Sequence, residues 1–278
     1  MKKDNKPILK RSLSTLLKRF SNTDIVGTME KDYSESVMRQ IKLSSIEDNH
    51  VLKKARINEN VLTNAMNVIS NKGLNTPIFV VYVDDHYEVV LPRLDYIAAK
   101  KLNLEDVPIT LLNIDEEEML LMLASYLINQ KQSSIVELSL VLNRMQKKYH
   151  YTQKDIASFM HQSRSQITNI MRLKKMPQSI LNDLANDKLS FGHARAISTL
   201  DNEKMMEIVN LIYERNISVR ETEKIVYELK HNVSFENEES LLNKKLNCRS
   251  NVSPLRVTLV FDDEEKQKEF FKKIEIIE

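Results

Sequence analysis

The stretch YTQKDIASFMHQSRSQITNIMRLKKMP, Tyr151 to Pro177, constrains this chain more than any other. Capping chemistry cuts it into two short helices. Thr152 with Asp155, and Ser163 with Gln166, each make a start in which the hydroxyl takes a first-turn N–H and the third residue reaches back. The spacing predicts a first helix over 153–160, a second over 164–173, and the three-residue turn HQS between them. His161 sits where such a turn usually has glycine, and histidine can visit the left-handed region. Met176-Pro177 closes the unit, because the residue before proline is pushed out of helical geometry. Two short helices joined in this way are a helix-turn-helix, whose second helix lies in the major groove of DNA.

The side chains fit that geometry. Ala157 is small where the helices must approach, and Ile156, Ile167 and Ile170 supply the packing face. The other face carries Ser163, Arg164, Ser165, Gln166, Thr168, Asn169 and Arg172, flanked by Gln153 and Lys174. Arg pairs bidentately with guanine and Asn or Gln with adenine, while Ser and Thr reach phosphate or either base. A plain helical hairpin with a solvated polar face is the competing interpretation. The two caps, the small residue and the basic flank favour DNA.

Composition narrows the alternatives. The formal net charge is +2 over 278 residues, but its distribution is uneven. The first twenty residues are strongly basic, a second basic cluster runs from Arg144 to Lys175, and Glu105 to Glu118 is acidic; local basic patches attract polyanions whatever the total. Three glycines in all argue against a Gly-rich phosphate loop of the usual kind. The single cysteine, Cys248, excludes an internal disulfide or a multi-cysteine zinc site and reads as a small buried residue. No apolar run approaches membrane-spanning length and no signal segment follows the basic start, so a cytoplasmic, nucleoid-associated protein is expected. No catalytic constellation and no metal cluster is recognisable; the acidic run DDEE (Asp262 to Glu265) reads as a favourable acidic first turn of a helix and not as a cation site, and DEEE (Asp115 to Glu118) reads as similarly bland.

Along the chain, ILKRSLSTLLKRF in the first thirty residues is a basic amphipathic arm. RQIKLSSI reads as a short strand, NENVLTNAMNVISNKGL as a helix stopped by Gly73, and PIFVVYVDDHYEVVL as a hairpin turning at Asp84-Asp85-His86. A helix over RLDYIAAKKLNL and a strand over VPITLLNI follow. From Glu116 to Leu229 only helices are expected. After the polar segment KHNVSFENEES come a helix ESLLNKKL, a strand LRVTLVF and a last helix.

Downstream of the opening stretch, DKLSFGHARAISTL and ISVRETEKIVYEL sit at the spacing seen in the ParB chromosome and plasmid partition proteins, and the chain resembles that family over most of its length. The resemblance implies an α+β multidomain protein: a basic arm at 1–30, a small mixed α/β N-terminal domain at 31–125, an all-α helix-turn-helix domain at 126–231, and a linker with a small α/β C-terminal dimerisation domain at 232–278. It assigns Arg164, Asn169 and Arg172 to the recognition helix. Gly192, His193 and Arg195 match the family's GHAR, where Ser190 would cap the helix and its first amides, with Arg195, would grip a phosphate. His193 fits direct DNA contact and a core role equally.

The implied function is sequence-specific binding, as a homodimer, to an inverted-repeat, centromere-like site on double-stranded DNA, with recruitment of a ParA-type ATPase. A nucleoid-occlusion factor or a ParB-like regulator using the same reader is the alternative. Lys10, Arg11, Leu13, Leu16 and Leu17 of the arm would engage the ATPase, lie on an anionic membrane surface, or scan DNA.

The family also implies CTP as a nucleotide cofactor, held by GERRxRA and ENxQR motifs. Here Pro92, Arg93, Leu94, Asp95 and Ile97 stand at the first motif, and Ser125, Tyr126 and Asn129 at the second. A triphosphate needs several cationic donors and close backbone approach. Asp95 repels it and Pro92 removes a donor. The expectation is a chain without a cofactor and without CTP hydrolysis, keeping only the remnant of a site at Pro92 and Arg93.

Overall fold

Two strands, β3 (Ile78–Val83) and β4 (His86–Leu91), form the expected hairpin. Its turn is Asp84-Asp85 alone, with φ of 46° and 66°, the left-handed pair that a two-residue hairpin needs to match the strand twist. The computed structural model describes residues 39–129, 134–231, 235–253 and 256–274. Lys10, Arg11, Leu13, Leu16 and Leu17 lie outside the described residues. The chain forms two units, divided between Ser198 and Thr199.

In the first unit the hairpin is the centre of a five-stranded sheet with β1 (Arg39–Lys42), β2 (Ile46–Glu47) and β5 (Asp106–Leu111), in the order β1-β5-β3-β4-β2. β1–β5 and β3–β4 are antiparallel, β3–β5 and β2–β4 parallel. Successive residues of β3 point to opposite faces, and both faces are covered. Ile78 and Val80 pack with Val89, Tyr96, Val107 and Ile109, while Phe79 and Val81 join Val90, Leu91 and the helices that follow. That double burial explains why Ile78 to Val81 are apolar without alternation, whereas Tyr82 and Val83 at the end of the strand are exposed. RQIKLSSI is not one strand: a 3-10 turn over Leu43–Ser45 breaks it, burying Leu43, whose N–H donates to the Glu105 carbonyl at 2.8 Å.

Helix α1 (Glu59–Lys72) starts on Asn58, which accepts the N–H groups of Asn60 and Val61, and ends where Gly73 takes φ 74°. It packs on α2 (Arg93–Lys101). Helix α3 (Glu116–Asn129) is buried almost all round from Met119 to Leu127. Such a helix must be surrounded, and it joins the sheet to the helical half, sharing one core with α4 (Ile135–Tyr149), α5 (Gln153–Phe159) and α6 (Arg164–Arg172). A 3-10 turn (Leu173–Lys175), α7 (Gln178–Ala185) and α8 (Phe191–Ile197) complete the unit.

The second unit holds α9 (Asn202–Arg215), α10 (Val219–His231), α11 (Glu236–Leu246), a hairpin of β6 (Arg249–Ser253) and β7 (Arg256–Val260), and α12 (Glu264–Lys273). The motif SVRETE starts α10 with a reciprocal cap: Ser218 Oγ accepts the Glu221 N–H at 3.3 Å and Glu221 accepts the Ser218 N–H at 2.6 Å. Lys224 of α10 pairs with Glu239 of α11, which in turn accepts the Val252 N–H of β6 at 2.7 Å. Strand β6 was not expected, because RSNVS carries no apolar alternation; pairing with β7 alone makes it a strand. Cys248 is buried, as expected.

Candidate nucleic-acid interface

Helices α5 and α6 are the pair expected from the capping pattern. Thr152 Oγ1 accepts the Asp155 N–H at 3.1 Å and Asp155 accepts the Thr152 N–H at 2.9 Å, a complete capping box. Ser163 Oγ accepts the Gln166 N–H at 3.1 Å to start α6. His161 carries the turn at φ 52°, the left-handed position that glycine usually fills. Ile156, Ile167 and Ile170 are fully buried and Ala157 nearly so. The packing side of α6 is thereby fixed, and with it the direction of every other side chain on the helix.

Ser165, Asn169 and Arg172, at i, i+4 and i+7, form one stripe on the side away from that core. Ser165, Gln166, Arg164 and Arg172 are exposed and Asn169 is half-buried. Among the described residues nothing pairs with the guanidinium of Arg164 or Arg172, or with the Asn169 amide. Thr168 is committed differently. Its hydroxyl lies 2.8 Å from the Arg164 carbonyl and 2.9 Å from Gln153 Oε1, so it ties the first residue of α5 to α6 and orients Gln153. Lys174 is exposed just past the helix.

Helix α8, which carries the GHAR residues, packs against α6, and Phe191 at its start meets the apolar cluster that holds Ile167 and Ile170. Ser190 caps α8, accepting the His193 N–H at 3.3 Å, and lies 2.8 Å from His193 Nδ1. His193 is thus held by its own cap, and one of the amides expected to face a phosphate is already used. Gly192 is half-buried and Arg195 exposed.

Asn143 of α4 was not singled out from sequence. Its amide donates to the Met171 carbonyl at 2.9 Å and to the Ser139 carbonyl at 2.8 Å, fastening the last turn of α6 to α4. The i+4 spacing of Ser139 and Asn143 was visible; the reach to Met171 was not.

The basic cluster is smaller than its sequence suggests. Arg144 and Lys148 both pair with Glu116, Arg144 at 2.8 Å, so the run DEEE is not bland. Asp115 and Glu118 cap α3 reciprocally, Glu117 accepts from the Tyr151 hydroxyl at 2.8 Å, and Glu116 pairs with two cations and offsets one of their two charges. Burial alone would raise the Glu116 carboxyl; the hydrogen bonds from Lys148 and Arg144 reverse that and hold it below its usual range. The exposed cations on and beside α6 are Lys154, Arg164, Arg172, Lys174 and Lys175.

His50 joins the same network, with Nδ1 2.8 Å from Glu88 and Nε2 3.4 Å from Glu116. The hydrogen bond to Glu88 raises its pKa against the opposing effect of burial, and the two carboxylate charges add to the rise. A raised histidine stabilises the fold fully below its unfolded pKa of about 6.5 and loses that contribution as pH climbs through the folded value. Urea unfolding at pH 6 and pH 8 is expected to show a larger loss of stability in the wild type than in His50→Gln; equal losses would remove His50 from the account.

The family-like nucleotide residues are placed otherwise than a phosphate site requires. Arg93 is buried at the start of α2. Its Nε and Nη2 each donate to Asp48 at 2.7 Å, its Nη1 to Glu137 of α4, and both Nη groups to the Ala55 carbonyl at 3.3 and 3.2 Å. Burial works against the guanidinium charge, and the two carboxylates more than restore it. Asp95 is partly buried and its carboxyl is raised by that burial. The Tyr126 hydroxyl is pushed up to about 12 by burial and by the negative charges of Asp95 and Glu137. These residues do not fit a triphosphate.

Residues 27–131 match a family model described as the ParB N-terminal domain, and residues 131–231 one described as the ParB HTH domain. The chain is 27% identical over 229 residues to a probable chromosome-partitioning protein ParB of Campylobacter jejuni, covering 82% of this chain and 81% of that one. It is 28% identical over 193 residues to the Coxiella burnetii protein of the same description, covering 69% and 67%. Among solved structures, the C-terminally truncated ParB of Caulobacter crescentus complexed to the centromeric parS site aligns at 26% identity, over 68% of this chain and 99% of that one, with a TM-score of 0.40.

Proposed function

Because this chain belongs to the ParB family, we propose that it is a partition protein that binds a parS-type inverted repeat in double-stranded DNA and recruits a ParA-type ATPase. The observation that carries the reading is the stripe of Ser165, Asn169 and Arg172 on a helix whose opposite side is locked into the core, with its guanidinium groups unspent. Arg172 and Asn169 face the base edges. Arg164 and the capped N-terminus of α6 hold the sugar-phosphate backbone, and Lys174 and Arg195 add positive charge on either side.

Self-association supplies the second reader that an inverted repeat demands. The second unit supports it: Leu241, Val257, Val260 and Ile274 are exposed, and a two-stranded sheet between helices buries little on its own. Among the described residues no helix is long and apolar enough to cross a membrane.

Arg172→Ala is expected to weaken binding to a parS-type duplex by about 1–3 kcal/mol while barely changing binding to a scrambled duplex. Arg164→Ala, a phosphate contact, should weaken both duplexes alike, the more so at low salt. A gel-shift series on matched and scrambled duplexes checks both; no loss with either variant would refute the reading.

A further inference from the structure

A cavity of about 660 Å3 lies between the sheet and the helical half of the first unit, with Leu52, Leu91, Leu94, Tyr126, Leu127 and Phe191 in its wall. Arg93, at its edge, is the one cation among the described residues that line it. A guanidinium has five N–H donors. Five hydrogen bonds leave Arg93: two to Asp48, two to the Ala55 carbonyl and one to Glu137. No donor remains for a phosphate oxygen. Two carboxylates surround the single positive charge, and Asp187 also lines the cavity, so a polyanion entering it meets net negative charge in a poorly solvated place.

The same bonds do something else. Asp48 and Ala55 belong to the loop after β2, Arg93 opens α2, and Glu137 lies in the first turn of α4. The triad therefore spans from the sheet region to the helices that carry the DNA reader.

We propose that the Asp48–Arg93–Glu137 triad braces the sheet region to α4 constitutively and, by spending every guanidinium donor, leaves the cavity unable to take a nucleoside triphosphate. The brace is built from protein groups alone, and nucleotide concentration does not change it. DNA recognition by α6 is a separate matter, and neither the titration without duplex nor the exchange measurement below depends on it.

Equilibrium titration of the full chain with CTP and magnesium, alone and with a parS-type duplex, is expected to show no saturable binding tighter than about 1 mM. Saturable binding below that concentration overturns the proposal. Glu137→Gln keeps shape and one acceptor while removing the charge. Amide exchange in the first turn of α4 and in residues 48–55 should then quicken by about tenfold or more. Asp48→Asn, acting on the other arm, should give the same result. Exchange unchanged in both variants would mean that the triad braces nothing.

Discussion

Arg93→Met is expected to lower the unfolding free energy of the first unit by about 3–5 kcal/mol, the cost of breaking a buried ion pair by removing one partner. The side chain is 7% exposed, and Asp48 and Glu137 are 20% and 9% exposed. Methionine fills a similar volume, so the loss does not come from an empty space. It comes from two carboxylates left in a place where solvent cannot take over from the guanidinium. Denaturant unfolding of the variant measures it. The double variant Arg93→Met with Glu137→Gln should recover part of the loss, since one stranded charge has gone; such non-additivity is the signature of residues that act together. A loss below about 1 kcal/mol would place Arg93 with exposed pairs and contradict its burial.

Ile170→Ala is expected to cost about 2–5 kcal/mol, the range for truncating a fully buried aliphatic side chain. Ile170 is 0% exposed and belongs to the same apolar cluster as Ile156, Ala157 and Ile167. Helix α6 spans nine residues, too few to stand as a helix without tertiary support. Loosening its packing side therefore loosens the stripe of Ser165, Asn169 and Arg172 on the opposite side. DNA binding should fall with stability, and cooling should restore much of it. Ile170→Val, which removes one methyl group, is expected to cost about 0.5–1.5 kcal/mol. Thermal melts and gel shifts at two temperatures check both variants. Full stability with lost binding in Ile170→Ala would put Ile170 in the interface instead of beneath it.

Much of the reader was legible before any coordinates. The caps at Thr152 and Ser163, the left-handed turn at His161 and the buried stripe of Ile156, Ile167 and Ile170 all depend on residues three or four apart, and local spacing is what a sequence displays. The hairpin turn at Asp84-Asp85 and the stop at Gly73 are local in the same sense. Strand β6 was not legible, because its order comes from β7 and not from its own residues. The break in RQIKLSSI had no sequence signal either; Leu43 turns inward to meet the sheet core.

The sequence by itself determined the helix-turn-helix and the side of α6 that faces outward, and its resemblance to the ParB family implied that Pro92, Leu94 and Asp95 stand where that family's nucleotide motif has glycine and arginines. Only the tertiary structure decided which charges are free to meet DNA. Arg144 and Lys148 share the carboxylate of Glu116, Arg93 is held by Asp48 and Glu137, and His193 by Ser190, whereas Arg164 and Arg172 keep their donors. The physical reason is range. Helix propensity and capping act over one turn of chain, but Asp48 and Arg93 are 45 residues apart, and Arg93 and Glu137 are 44. Whether such groups meet is settled by how the sheet and helices pack, and the pairing in turn sets which side chains remain available for a ligand.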